Sequence, residues 1–218
     1  MKLRPLFILL LFVVSAGILV WIYYTARRTP REPKASPWAE TISDLDACCR
    51  RKHVKSMQYD HFAQIADEER KPAAARLFRA MSRAEEVQER NCSHAIVRLG
   101  GKYDPPAKVV VFHGPTADNL RRSIDYERRN LSERNGGEID RAMTKNNRYA
   151  ARVLIWATAG DLRHQAFMEL YLARQRHKEK QPSAYRVCPM CGNIFEAEYT
   201  DPYCPYCLTA GQEFIAFE

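Results

Sequence analysis

Four cysteines near the carboxyl end constrain this chain more than any other feature. Val187-Cys188-Pro189-Met190-Cys191-Gly192 and Tyr203-Cys204-Pro205-Tyr206-Cys207-Leu208 form two C-x-x-C turns with twelve residues between them. Each turn lets two thiolates face one ion while backbone N–H groups point at the sulfurs, and two turns close a tetrahedral site. Cys188, Cys191, Cys204 and Cys207 are therefore the expected metal ligands. Two disulfides or a redox dithiol would use the same residues, but paired knuckles in so short a segment favour a metal. Tetrahedral sulfur suits iron and zinc alike, so the ligands alone do not decide between the two metals. Tyr185, Phe195, Tyr199, Tyr203, Tyr206, Phe214 and Phe217 supply an apolar shell that a module this small otherwise lacks. Leu208 stands where a glycine commonly follows the second knuckle.

The opposite end is apolar. No charged residue occurs over residues 5–26, and the run Leu6-Phe7-Ile8-Leu9-Leu10-Leu11-Phe12-Val13-Val14 continues through Ile18-Leu19-Val20-Trp21-Ile22. Spanning hydrocarbon takes roughly 20 apolar residues, so one transmembrane helix over residues 1–27 is expected, with Trp21, Tyr23 and Tyr24 at an interface. A cleaved signal peptide is the alternative, with Val14-Ser15-Ala16 as its cleavage site, but the apolar run continues past that point. Lys2 and Arg4 nearly balance Arg27, Arg28, Arg31 and Lys34, which leaves the side of the membrane unresolved. The same residues account for much of the net charge of +8. Nucleic acid is therefore not an expected partner. Cys48, Cys49 and Cys92 form an odd remainder with no disulfide framework, read as ordinary helix residues in a chain leaning towards a reducing compartment.

Residues 28–38, with Pro30, Pro33 and Pro37, read as a charged, proline-rich tether. Four long helical stretches follow, at residues 41–69, 72–99, 116–147 and 148–178. In the second, Ala74, Leu77, Phe78, Met81, Ala84 and Glu85 recur every three or four residues, the mark of one amphipathic face. Pro72 suits a first helical turn, Thr116 with Asp118 behind it reads as a capped start, and Gly136-Gly137 threatens to split the third stretch. Only a couple of residues join the first two helices, whereas the connection over residues 100–115 is long enough to cross a bundle. Two hairpins joined by one crossover describe a ferritin-like bundle over residues 39–180, although four such helices also suit a generic bundle. The fold class is thus mainly α, with the four-cysteine domain at residues 181–218.

The chain from residue 41 onward resembles the rubrerythrin family. The resemblance rests on Arg186-Val187-Cys188-Pro189-Met190-Cys191-Gly192, Cys204-Pro205-Tyr206-Cys207, Ala74-Ala75-Arg76-Leu77-Phe78-Arg79-Ala80 leading to Ala84-Glu85, Thr116-Ala117-Asp118-Asn119-Leu120, and the closing Glu213-Phe214-Ile215-Ala216-Phe217-Glu218. It implies a ferritin-like fold, a rubredoxin-like domain holding iron, and a carboxylate-bridged diiron centre that reduces peroxide. Aligned on that pattern, the bundle keeps Glu85, Glu127, Asp161 and His164 as residual metal positions, while Lys52, Gln88 and Asn130 stand where further ligands belong. A lysine in such a cavity repels metal directly. The expected polar set is a buried network in which Lys52 pairs with Glu85, Glu127 or Asp161.

Three functions follow as expectations. The first is a single-pass membrane-tethered metalloprotein with a rubredoxin-type iron and a degenerate diiron site, serving electron transfer or binding, with a redox protein and a second copy of the chain as partners. The second is a peroxide-reducing oxidoreductase with an altered diiron site. The third is a zinc-ribbon adaptor with the bundle as scaffold.

Overall fold

The structure, a computed structural model, describes residues 4–28, 36–199 and 201–218. It divides into two compact units, residues 1–37 and 38–218. In the first, α1 spans Arg4–Arg28, and Phe12, Leu19 and Trp21 are among its exposed residues. The expected anchor gains no support from it: among the described residues, no helix is long and apolar enough to cross a membrane. Side chains of the apolar residues Leu6, Phe7 and Leu9 lie outside the described set, as does most of the expected tether.

The second unit begins with α2 (Ala39–Glu68) and α3 (Pro72–Arg98). Pro72 opens α3 at its first turn, where a missing N–H costs nothing. The intervening turn is closed by Lys71 N–H donating to the Ala66 carbonyl at 2.8 Å, with Arg70 in the left-handed region at φ 58°. So short a turn makes the two helices antiparallel neighbours. Residues 101–115 then cross the bundle without forming helix or strand, despite the β-branched Val109-Val110-Val111. The Gln58 side-chain amide serves as its pairing partner instead, donating to the Phe112 carbonyl at 2.9 Å and accepting from the Phe112 N–H at 2.7 Å.

The third stretch is split. Helix α4 (Thr116–Arg134) stops where Asn135 and Gly136 turn left-handed at φ 42° and 73°, and α5 (Gly137–Thr144) follows. Two consecutive left-handed residues break an α-helix outright, and Asn and Gly are the residues that tolerate this best. Thr116 does not cap α4: it occupies the first helical position, and the cap residue is Pro115, with no side-chain cap bond. Helix α6 (Arg148–His177) is capped by Asn147 Oδ1, which accepts from the Ala150 N–H at 3.1 Å.

Three short strands complete the unit: β1 (Tyr185–Val187), β2 (Ile194–Glu196) and β3 (Ile215–Phe217). They form an antiparallel sheet in the order β2-β1-β3, pairing Val187 with both Ile194 and Ile215. The ribbon does not stand apart, because Tyr185, Val187 and Ile194 belong to the same apolar cluster as Tyr59, Phe62, Phe78 and Met168 of the bundle. A second cluster, with Leu45, Cys48, Cys92, Ile96 and Leu154, fills the other end. Between the two lies a layer of buried charge.

Candidate metal centres

In the ribbon, the two knuckles have matching backbones. Gly192 N–H donates to the Cys188 carbonyl at 3.0 Å, and Leu208 N–H donates to the Cys204 carbonyl at 2.9 Å. Each closing residue is left-handed, Gly192 at φ 74° and Leu208 at φ 62°. Leu208 therefore adopts in the second knuckle the conformation that Gly192 adopts freely in the first, with a steric cost of roughly 1–2 kcal/mol for its Cβ. The four sulfurs converge: the ligand atoms of Cys188, Cys191, Cys204 and Cys207 all lie within 4.8 Å of one another. Cys188 Sγ is 3.4 Å from Cys207 Sγ, and Cys191 Sγ is 3.6 Å from Cys204 Sγ.

Hydrogen bonds from the Cys191 and Cys204 thiols and from the Cys191 and Met190 N–H groups draw Cys188 far towards the thiolate. The Cys191 and Cys204 thiols are pushed up, because each shares its proton with neighbouring sulfur. Four sulfurs competing for protons in one small space are relieved by a soft dication, so this donor set fits one tetrahedral metal. Phe195 packs behind it, between Tyr199 at 4.4 Å and Phe214 at 5.2 Å.

One face of α3 grips the first knuckle. Gln88 Nε2 donates to the Gly192 carbonyl at 3.3 Å, Arg90 to Pro189 at 2.8 Å and Asn91 to Met190 at 2.7 Å. From α6, Arg163 donates to Ile194 at 2.6 Å and Trp156 to Tyr206 at 3.1 Å. The fit is close: a Cβ on Gly160 would lie 2.0 Å from Gln88 Nε2, and one on Gly192 would lie 2.7 Å from the Ala84 carbonyl. Gln88, expected at a ligand position of the bundle cavity, instead turns its amide to the ribbon.

The bundle cavity collects one polar set from four helices. Glu85 comes from α3, Glu127 from α4, and Asp161 with His164 from successive turns of α6, their ligand atoms all within 4.8 Å. Into this set α2 projects two lysines, three residues apart and so on one helical face. Lys52 Nζ lies 3.1 Å from Glu85 Oε2, pairs with Asp161, and donates to the Ala157 carbonyl at 3.2 Å. Lys55 Nζ lies 2.8 Å from Glu85 Oε1, 2.7 Å from Glu127 Oε1 and 2.5 Å from Asp161 Oδ1. Arg134 donates to Asp161 Oδ2 and to Glu138 Oε1, both at 2.6 Å, and Arg51 Nη2 is 3.6 Å from Glu138. Tyr59 OH donates to Glu127 Oε1 at 2.9 Å, and His164 Nδ1 sits 2.9 Å from Glu85 Oε1.

Lys52 lies where its place in the sequence pattern puts it, and Lys55 and Arg134 join it there. The signal for Lys55 was present in the inward stripe Leu45, Cys48, Lys52, Lys55, Tyr59, Phe62, which keeps helical spacing throughout. Arg134 enters from the broken end of α4, which no spacing announces. Asn130 is only a marginal contact, its Nδ2 lying 3.5 Å from Asp161 Oδ2. His53, the residue after Lys52 on α2, lies outside the cluster with Nδ1 3.0 Å from Glu89.

Four carboxylates thus face four cations, so the cavity is neutral without a metal. Burial pushes Glu85 up, but Lys52 and Lys55 outweigh it and hold the group down to about 2. Asp161 is held below the ordinary carboxylate range against the same burial, by Lys52, Lys55 and Arg134. Burial disfavours the Lys55 ammonium, yet Asp161, Glu127 and Glu85 raise it well above the ordinary value. Glu127 is raised, because burial together with Asp161 and Glu85 outweighs the opposing pull of Lys55. Two metal ions would have to displace both ammonium groups from the same oxygens, so the residues present do not fit a diiron centre.

No family model and no curated protein matches the sequence. Six solved chains match. Among them are nigerythrin in its fully reduced, all-ferrous state (23% identity, TM-score 0.69), its mixed-valent state (23%, 0.68) and its partially reduced state (24%, 0.69). The match covers 87% of this chain and 90–91% of those chains. This chain has the nigerythrin fold. Nigerythrin is a rubrerythrin-family protein, and at such identities the likeness speaks for the fold alone.

Two outcomes follow from the charged layer. Lys55→Met leaves three buried carboxylates short of a cation, and guanidinium unfolding is expected to show a loss of about 3–5 kcal/mol. Glu85 and Asp161 are depressed in the folded protein, so their contribution is complete above the unfolded carboxylate value and is lost as pH falls towards the folded one. The thermal midpoint should therefore fall between about pH 4.5 and about pH 2. A midpoint unchanged across that window would contradict the pairing.

Proposed function

We propose that this chain is a rubrerythrin-like protein with a single metal, in which iron bound by Cys188, Cys191, Cys204 and Cys207 serves one-electron transfer and the bundle is a scaffold whose former diiron cavity is closed by lysine. The observation that carries this reading is the pair of ammonium groups, Lys52 and Lys55, seated on Glu85, Glu127 and Asp161. Iron in a four-thiolate site supplies a ferric–ferrous couple without needing an open ligand position. The rest is done by the protein. The knuckle N–H groups stabilise sulfur charge, Phe195, Tyr199 and Phe214 keep water away, and Gln88, Arg90 and Asn91 hold the first knuckle against α3.

The test is metal analysis with visible spectroscopy on the full-length protein. One iron per chain with thiolate-to-ferric absorption is the expected result, and Cys204→Ala is expected to abolish it. Lys52→Ala combined with Lys55→Ala should then admit additional divalent metal to the bundle. Three irons in the unaltered protein would overturn the reading, and one zinc without colour would favour the adaptor function.

The same reading places the protein on a membrane through residues 5–26, supported by the uncharged apolar run of the sequence. Carbonate extraction of membranes should leave the full-length protein in the pellet. A soluble product starting near Gly17 would contradict tethering.

A further inference from the structure

Away from the ribbon, three cysteines lie at one end of the bundle, and the proposed function uses none of them. Cys48 and Cys49 sit on α2 and Cys92 on α3, all fully buried in the second apolar cluster. Adjacent residues on a helix point about 100° apart, so Cys48 and Cys49 approach Cys92 from different directions, and the Cys49 thiol also lies near that of Cys92. Cys49 Sγ lies 3.5 Å from the Glu89 carbonyl. Cys48 faces Cys92, and their sulfurs are 3.0 Å apart. That is closer than two sulfurs rest without bonding or sharing a proton. A disulfide needs about 2 Å, so closure asks for an approach of about 1 Å between two side chains already aimed at each other.

We propose that Cys48 and Cys92 are a redox-active pair that hydrogen peroxide converts to an inter-helix disulfide. In the first step the thiolate of one cysteine attacks a peroxide oxygen, the O–O bond breaks, and the departing hydroxide takes a proton to leave as water. In the second, the partner's thiolate attacks the resulting sulfenic sulfur, the S–O bond breaks, and a second water leaves as the S–S bond forms. Two electrons pass from the sulfurs to one peroxide.

The position of the pair gives the bond a consequence. Cys48 lies one helical turn before Lys52 on α2, and Cys92 lies one turn after Gln88 on α3. The crosslink therefore fixes α2 against α3 beside the charged layer and the knuckle clamp, closing a loop between residues 44 apart in sequence. Loops of this length restrict the unfolded chain, so the oxidised protein is more stable than the reduced one. Closure is slow, since peroxide must diffuse into the bundle and burial with the hydrogen bonds among these sulfurs pushes both thiols up, which keeps the attacking thiolate scarce.

Peptide mapping of the full-length protein, with and without hydrogen peroxide, decides the matter. After quenching in denaturant with an alkylating agent and digesting with trypsin, the expected product joins residues 35–50 to residues 91–98. This product resolves from the peptides that carry the ribbon cysteines. It should survive Cys49→Ala, disappear in Cys48→Ala and Cys92→Ala, and accompany a rise in melting temperature that dithiothreitol reverses. Complete alkylation of Cys48 and Cys92 after peroxide, or a crosslink that runs through Cys49, would overturn the proposal.

Discussion

Buried charge in the middle of the bundle is the constraint on which the rest depends. An isolated ammonium or carboxylate in a protein interior is prohibitively costly, so Lys52, Lys55, Arg134, Glu85, Glu127, Glu138 and Asp161 must stay together. Each member comes from a different turn or helix, so the requirement to pair them fixes the register of α2, α3, α4 and α6. The apolar clusters at the two ends supply the driving force for packing but would tolerate sliding. The ionic layer does not, because moving one helix by a turn would strand a charge.

The same layer decides what chemistry the bundle offers. Glu85, Glu127, Asp161 and His164 have the composition and closeness of a metal site. In the ordinary logic of such sites, carboxylates stay ionised because metal charge compensates them. Here ammonium groups supply that compensation, and they are covalently tethered, so they cannot be exchanged for ions without leaving the cavity. A metal ion competes with a partner of near-unlimited effective concentration. The ribbon instead offers four sulfurs, a donor set that could hold a metal ion and in which sulfur rather than carboxylate would set the preference.

In the docking of the ribbon one residue serves two regions. Gln88 belongs to the inward half of α3, yet its amide passes over Gly160 and bonds to Gly192. No side chain is available at Gly160 or Gly192 to keep α3, α6 and the first knuckle apart. The residue that resembles a lost ligand is thus a clamp, and the four-cysteine site shares a continuous apolar core with the bundle through Tyr185, Val187 and Ile194.

By itself, the sequence determined the four-cysteine cluster, the helices and their approximate ends, and the presence of Lys52 among carboxylates. These are local properties: a C-x-x-C turn, a proline at a first turn and a three-to-four residue spacing are read along one chain segment. The rubrerythrin-like architecture was expected from the resemblance of several such segments to that family, and the nigerythrin fold agrees with it. The tertiary structure decided what no single segment contains, namely Lys55 on three carboxylates, Arg134 arriving from the broken end of α4, Gln88 turned to the ribbon and Cys48 facing Cys92. Each of these depends on how far one helix is rotated against its neighbour. That rotation is set by the sum of all packing and pairing across the bundle, so spacing along one helix names the face a residue occupies without naming what lies opposite.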